Sequence, residues 1–382
     1  MEKFNELKEE IQKHLDCTYQ NWFFGAGVSC QSNIPLMIPL TKKIKEDIIK
    51  TETKEIFLEI EKNLPDGSHI EHYLSHIGDL LALIDRSKKD SIKLDDYIYT
   101  VDNLDKLYKS IVSNIEQIMR YGLKDDKVGD FNNPIIEIKF HRDFLKKLFY
   151  SRSNLENRTC INFFTINYDT LLEDALVLEK KDVVDGFTGS AMGFWNPAEF
   201  VEKGKGFDKY QLLKLHGSID WYKDADIGLI RCRYGTKYLS NQSSILIYPQ
   251  STKYIETQKD PFSVLFNGFR EHLQVCNDNI FVSCGYGFGD DHINSGIEMA
   301  LQLPKNKTNA LLFVEEKYDK KLKTYSLPGL LKNWLDNPIF KKRIFVISNR
   351  GFYNGSQNLI RESKKTDEYK WWTFQGLTEF IS

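Results

Sequence analysis

Short polar or glycine-rich stretches follow several apolar runs in this sequence, and their side chains are of the kinds that hold a phosphate or move a proton. Gly25, Ala26, Gly27 and Ser29 come directly after NWFF. Glycines there let the backbone turn tightly and present N–H groups to a phosphate, and the start of a following helix adds partial positive charge. The same residues also suit a simple tight turn with Ser29 as a helix cap. Asn167, Asp169 and His216 close the runs TCINFFTINYD and LLKLH. In an open α/β sheet the carboxyl ends of the strands line the ligand crevice, so groups from separate strands can converge there. The plainer reading makes Asn167 and Asp169 caps of a helix beginning near Thr170, with His216 donating to a backbone carbonyl beside Gly217. Gly285, Tyr286 and Gly287 follow IFVSC, where the chain either passes close to a ligand or only turns. Asp290, Asp291 and His292 come next, as part of a site or as the start of a helix. Glu315 ends NALLFVE, placed either to accept both hydroxyls of a ribose or simply as an exposed strand end. His69, His72 and His76 share one helical face, but their neighbours Ile70, Tyr73, Leu74 and Ile77 make an apolar stripe. They are read as an amphipathic border, and no metal site is expected.

The elements that must position these groups follow from periodicity. Phe4, Leu7, Ile11 and Leu15 predict a helix over about 2–16, and Trp22, Phe23 and Phe24 a buried strand. Residues 41–155 are dominated by helix signals, clearest at 101–120, where Leu104, Leu107, Ile111, Ile115, Ile118 and Met119 form one stripe. From residue 159 the rhythm is that of α/β units: a β-branched and aromatic strand, then the helix TLLEDALVLEK. Further strands are expected at 212–215, 244–248, 280–284, 310–314 and 343–347. Near-continuous apolar runs suit strands covered on both faces, as in a mostly parallel sheet. The fold class expected is therefore α/β and Rossmann-like, with 41–155 as a helical insertion and 351–382 as an aromatic-rich C-terminal extension. In that extension Tyr369, Trp371, Trp372, Phe374, Leu377 and Phe380 serve either as an assembly contact or as an intramolecular dock.

Composition bounds the rest. At 382 residues, 41% hydrophobic and 28% charged, the chain can bury a large core without metal or disulfide staples. Its formal charge of -2 disfavours nucleic acid as the main ligand. Cysteines at 17, 30, 160, 232, 276 and 284 include no C-x-x-C pair, which fits a reducing compartment and offers no zinc knuckle. The N-terminal stretch is charged without an apolar h-region, and no run is long enough to span a bilayer. The expectation is a soluble cytoplasmic protein that binds neither membrane nor nucleic acid directly.

Four segments taken in order sharpen this reading: GAGVSCQSNIP at 25–35, TINYD at 165–169, LHGS at 215–218 and CGYGF at 284–288. Together they resemble the landmarks of the sirtuin NAD-binding fold, and more closely the sirtuin-like domains that hydrolyse NAD in bacterial antiphage defence. The resemblance spans about 15–350 and is loose over the helical section. It departs from deacylating sirtuins in two places. Leu36, Met37 and Ile38 stand where those enzymes carry an acidic residue, an aromatic and an arginine, and the four-cysteine zinc module is missing, with only Cys232 and Cys276 in its region. Asn33 replaces a frequent glycine, a mild change because Asn tolerates a left-handed backbone.

The resemblance implies an NAD glycohydrolase giving ADP-ribose and nicotinamide, with NAD+ as substrate and no zinc. It assigns the diphosphate to Ala26, Gly27 and Ser29, the ribose or attacking water to Asn167, the nicotinamide carboxamide to Asp169 and general-base work to His216. Gly285, Tyr286 and Glu315 join the nucleotide-binding set. The alternatives are an NAD-dependent deacylase or ADP-ribosyltransferase, and a non-catalytic NAD or ADP-ribose sensor. Partners implied are further copies of the chain and a hexameric HerA-type ATPase.

Overall fold

The computed structural model describes residues 2–17, 19–150, 160–202, 209–224, 226–233, 242–246, 260–274, 278–320, 323–355, 357–361 and 369–381. The main sheet is built from β1 (Tyr19–Phe24), β2 (Cys160–Thr165), β3 (Asp182–Val184), β4 (Lys209–Lys214), β5 (Asn279–Cys284), β6 (Asn309–Val314), β7 (Ile344–Ser348), β8 (Gly351–Asn354) and β9 (Gln357–Arg361). Its strand order is β9-β8-β7-β6-β5-β1-β2-β4-β3. All pairings from β3 across to β7 are parallel, whereas β7–β8 and β8–β9 are antiparallel.

Side-chain alternation along β1 explains why the sheet is covered on both faces. Trp22 and Phe24 point to one side and Phe23 to the other, and all are buried. The first side receives α6 (Lys139–Tyr150), α7 (Leu171–Leu178) and α12 (Phe374–Phe380) through Phe144, Leu148, Leu172, Leu176, Phe374 and Phe380. The other receives α9 (Phe262–Leu273), α10 (Asp291–Gln302) and α11 (Gly329–Asp336), which bring Phe266, Phe269, Ile297 and Trp334 onto Phe23, Phe164 and Phe281. Buried amides pin the register: Asn162 donates to its cross-strand partner Asn21 at 3.0 Å, and Asn21 to Asn279 at 2.8 Å.

Between β1 and β2 lies the helical insertion, with α2 (Met37–Ile48), α3 (Lys54–Lys62), α4 (Ile70–Ser87) and α5 (Val101–Tyr121) around a separate apolar cluster. Two hairpins interrupt the helices, pairing 91–94 with 97–100 and 123–124 with 127–128. Their turns carry Asp95, Asp125 and Asp126 at positive φ, the backbone that a tight hairpin needs and that Asp tolerates. The composition of 122–134 marks a polar, turn-rich connection, but such short strands have little periodic signal and their pairing is not readable from sequence.

Two other differences concern strands. Residues 242–246 belong to a separate antiparallel sheet with 217–224, 228–232, 192–195 and 187–189, and not to the parallel sheet. Tyr248 and Cys276 lie outside the described residues. The main sheet also continues past residue 350 through β8 and β9. The aromatic C-terminal segment docks within its own chain. Trp371 stacks on Phe352, and Phe374 packs against Phe24 and Phe144 with centroids 5.6 and 5.0 Å away. No helix among the described residues is long and apolar enough to cross a membrane.

Phe374 is 1% exposed and wedged between sheet and α6. Phe374→Ala is expected to lower unfolding stability by about 3–5 kcal/mol in urea titration. Trp372→Ala, at a partly exposed position, should cost much less.

Candidate active site

Because the chain moves from β1 to β2 on one side and from β5 to β6 on the other, the order of the connections reverses between β1 and β5, the place where ligands of open α/β sheets bind at the carboxyl ends of the strands. The loop after β1 becomes a short 3-10 helix, Ala26–Ser32, ended by Asn33 in the left-handed region at φ 63°. Asn33 thus does what the missing glycine would do.

The glycines serve loop packing first. Gly27 N donates to Gly285 O at 2.9 Å, and a Cβ on Gly27 would meet Gly285 Cα at 2.7 Å. Gly285 has φ +68°, and its Cβ would lie 2.5 Å from Val28 N. By contrast, a Cβ on Gly287 meets nothing within 4 Å. Ala26 is exposed at the crevice, while Ser29 is fully buried.

Ser29 spends its hydroxyl inward. Its Oγ donates to Asp169 Oδ2 at 2.8 Å and accepts from Asn167 Nδ2 at 3.1 Å; that amide also reaches Gly25 O at 3.2 Å. Asp169 Oδ1 accepts from Leu171 N at 3.1 Å, so the carboxylate both caps α7 and orders Ser29. The helix-start reading of Asp169 thus holds, and the same carboxylate also orders Ser29. Asn167 Oδ1 is buried with no hydrogen-bond partner among the described residues. An orphaned buried acceptor is costly, and Glu173 Oε2 in the same cavity lining is left in the same state among the described residues.

His216 comes from the end of β4, where Leu215 N bonds Thr165 O at 2.8 Å and Gly217 turns the chain at φ 83°. Its Nε2 lies 3.0 Å from Asp290 Oδ2. Asp290 meanwhile caps α10, its Oδ1 accepting from His292 N at 3.0 Å. The helix-start reading of these aspartates holds for Asp290, whose other oxygen stands beside His216. Tyr286 is buried, and its hydroxyl donates to Asn294 Oδ1 at 2.9 Å. Burial pushes its phenol well above the ordinary range. Glu315 is exposed at the end of β6, whereas neighbouring Glu316 is buried and accepts from Ser348 Oγ at 2.7 Å and from Tyr353.

Three further groups stand at the site without any motif to announce them. Lys214, buried at the end of β4, donates to Asp169 O and to Glu173 Oε1 at 2.8 Å. Burial pushes the Glu173 carboxyl up to about 7, against the pull of Lys214 and Arg233. His141 on α6 has Nδ1 3.3 Å from Ser32 Oγ. With Asn167, Asp169, Thr165 and Glu173 it lines a cavity of about 10 Å³, the size of one water. A lysine inside the run LLKL was the one available sequence signal, since a buried cation needs an anion. His69 and His72 close the N-terminus of α4, with His69 N donating to His72 Nδ1 at 3.1 Å. Among the described residues no group of three or more His, Cys, Asp or Glu side chains is placed to hold a metal. An open groove of about 830 Å³ between α6, α7 and α12 contains none of the site residues.

Residues 161–338 match the SIR2-like domain family model. The fold is of the sirtuin, Rossmann-like type. The SIR2-like segment holds TINYD, LHGS and CGYGF but begins after the glycine loop of β1. Among solved structures, a Sir2 homologue in complex with NAD aligns at TM-score 0.40 and 12% identity, over 80% of this chain and 83% of that one. A Sir2 homologue variant with ADP-ribose aligns at TM-score 0.38 and 12% identity, over 84% and 90%. Another, with 2'-O-acetyl ADP-ribose, aligns at 0.38 and 13%, over 85% and 92%. No curated protein sequence matches the chain.

Two measurements follow from this geometry. Gly285→Ala should destabilise by a few kcal/mol in urea unfolding, and Gly287→Ala by less than about 1 kcal/mol. His141 is held neutral because burial pushes its ring down to about 4, with Asp169 opposing. Its ordinary value is 6.5, so the unfolded chain takes up that proton first and stability drains away as pH falls from about 6.5 to about 4. His141→Gln should show a shallower loss of stability across that window.

Proposed function

We propose that the chain is an NAD glycohydrolase that converts NAD+ to ADP-ribose and nicotinamide. The observation that supports this reading is that the Asn167–Ser29–Asp169 network and the His216–Asp290 pair stand on neighbouring strand ends, where Leu215 N donates to Thr165 O at 2.8 Å. Nicotinamide leaves a cationic ring as a neutral base, so the chemistry needs little acid catalysis. It needs an oriented ring, a stabilised oxocarbenium-like ribose and a delivered water.

In this reading the unpaired Asn167 Oδ1 accepts from the attacking water or a ribose hydroxyl. His216, with its Nε2 beside Asp290, takes up the proton as general base, the carboxylate favouring the imidazolium that results. Asp169 reads the carboxamide from its fixed position over α7. The motif resemblance assigns the diphosphate to Ala26, Gly27 and Ser29 and adds Gly285, Tyr286 and Glu315 to the nucleotide-binding set. Deacylation is the weaker reading, since Leu36 and Ile38 are exposed where an acidic and a guanidinium group would be wanted. Depletion of NAD in antiphage defence, a cytoplasmic location, assembly into homo-oligomers and pairing with a HerA-type ATPase complete the proposal. The defence role and the partners rest on the motif resemblance, and the location on the six scattered cysteines without a C-x-x-C pair.

Chromatography of nucleotide products, with the chain alone and with neighbouring gene products, tests the reaction. ADP-ribose and nicotinamide are expected without an acyl-peptide; turnover that requires a peptide would replace hydrolysis with deacylation. Asn167→Ala and His216→Ala should each lower kcat by at least about 10²-fold with the fold retained. Asp169→Asn should act mainly on KM, because the amide keeps one acceptor.

A further inference from the structure

The turn carrying Asn167 and Asp169 is gripped from the far side by the helical insertion. Tyr168, between them, points away from the crevice and donates through its hydroxyl to Glu71 Oε1 at 3.1 Å, with both residues buried. Glu71 sits in the first turn of α4, and its other oxygen lies 3.8 Å from His69 Nδ1. The backbone of Tyr168 ties the two catalytic loops together: its carbonyl accepts from Ile219 N at 3.0 Å and Ser218 Oγ at 3.3 Å, just after His216. Ile219 O in turn accepts from Arg120 Nη2 at 2.8 Å, and Arg120 ends α5 of the insertion. Tyr168, Leu171 and Ile219 are packed into the insertion's own apolar cluster with Leu74, Leu107 and Ile111.

We propose that the helical insertion is a positioning element for the site, in which Glu71 and Arg120, acting through Tyr168 and Ile219, set the separation of Asn167 from His216. The kinetic part of this inference rests on the hydrolase reading. Side chains of an active site must be held within fractions of an ångström, and displacement by about 1 Å can cost 10²-fold in rate. Glu71 and Arg120 touch no reacting atom; they fix where the loops sit.

The test compares full-length wild type with Tyr168→Phe, Glu71→Ala, Glu71→Gln, Arg120→Ala and the Tyr168→Phe/Glu71→Ala pair. Steady-state NAD kinetics and hydrogen exchange are read on each. Tyr168→Phe and Arg120→Ala should each lower kcat on the order of 10-fold with KM within about twofold, and should speed amide exchange in 166–171 and 217–220. Glu71→Gln keeps an acceptor and should stay near wild type, and the double variant should be no slower than the slower single one, since both remove one interaction. Wild-type kcat and wild-type exchange at those loops in Tyr168→Phe would overturn the proposal, whatever the melting temperature does. Should Glu71→Ala fail to fold, Tyr168→Phe, which loses one oxygen atom, decides alone. Should wild type show no NAD turnover in any assembly, the hydrolase reading fails by itself. Exchange at 166–171 and 217–220 then decides the positioning claim: faster supports it, unchanged rejects it.

Discussion

Gly27 and Gly285 meet backbone against backbone where β1 and β5 end, with a hydrogen bond of 2.9 Å and no space for a side chain on either. Adjacent parallel strands send their chains out on the same edge, and here the two loops are held together before each goes its own way. The loop from β1 then leads to Ser29, and the loop from β5 leads to Asp290. Their close approach therefore joins the loop that carries Ser29 to the loop that carries Asp290. A methyl group at this contact would push the two loops apart.

The polar groups of the site are buried, and burial forces each to find a partner. Asp169 illustrates the result, because one carboxylate receives Ser29 and the first turn of α7 while Lys214 holds its backbone carbonyl. Lys214 in turn needs Glu173, whose carboxyl is pushed up toward neutrality by the same dry surroundings. Such a network leaves little freedom to its members, which is what a site needs if orientation contributes most of its rate. Asn167 Oδ1 and Glu173 Oε2 are left without a partner among the described residues.

Support for this network comes from three layers. The sheet brings the strand ends together, α6 and α7 close one side with His141 and Glu173, and the helical insertion holds the Tyr168 and Ile219 turns within its own core. The C-terminal helix α12 covers α6 through Phe374, which also touches the ring of His141. Distant segments thus converge on one small volume.

Strands with apolar side chains on both faces were legible from sequence, as Trp22–Phe24, 161–164, 280–284 and 310–314 show, because burial on two sides leaves a near-continuous hydrophobic run. The stripe of α5 was legible for the same reason at a different period. So were the polar residues at strand ends, since an abrupt change from apolar to Asn, Asp, His or Gly needs no partner to be seen. Hairpins turned by Asp-Asp, the second sheet and strands β8 and β9 were not, because short strands carry weak periodicity and depend on pairing with partners elsewhere in the chain. Nor could the sequence show that Asp290 stands beside His216, that Lys214 and Glu173 neutralise each other, or that His141 lines the same cavity as Asn167. Which residues end strands is a local property of hydrophobic patterning and was determined by the sequence alone. Which of those ends face one another, and which buried charges thereby find a partner, depends on contacts between residues far apart in the chain, and only the tertiary structure decided it.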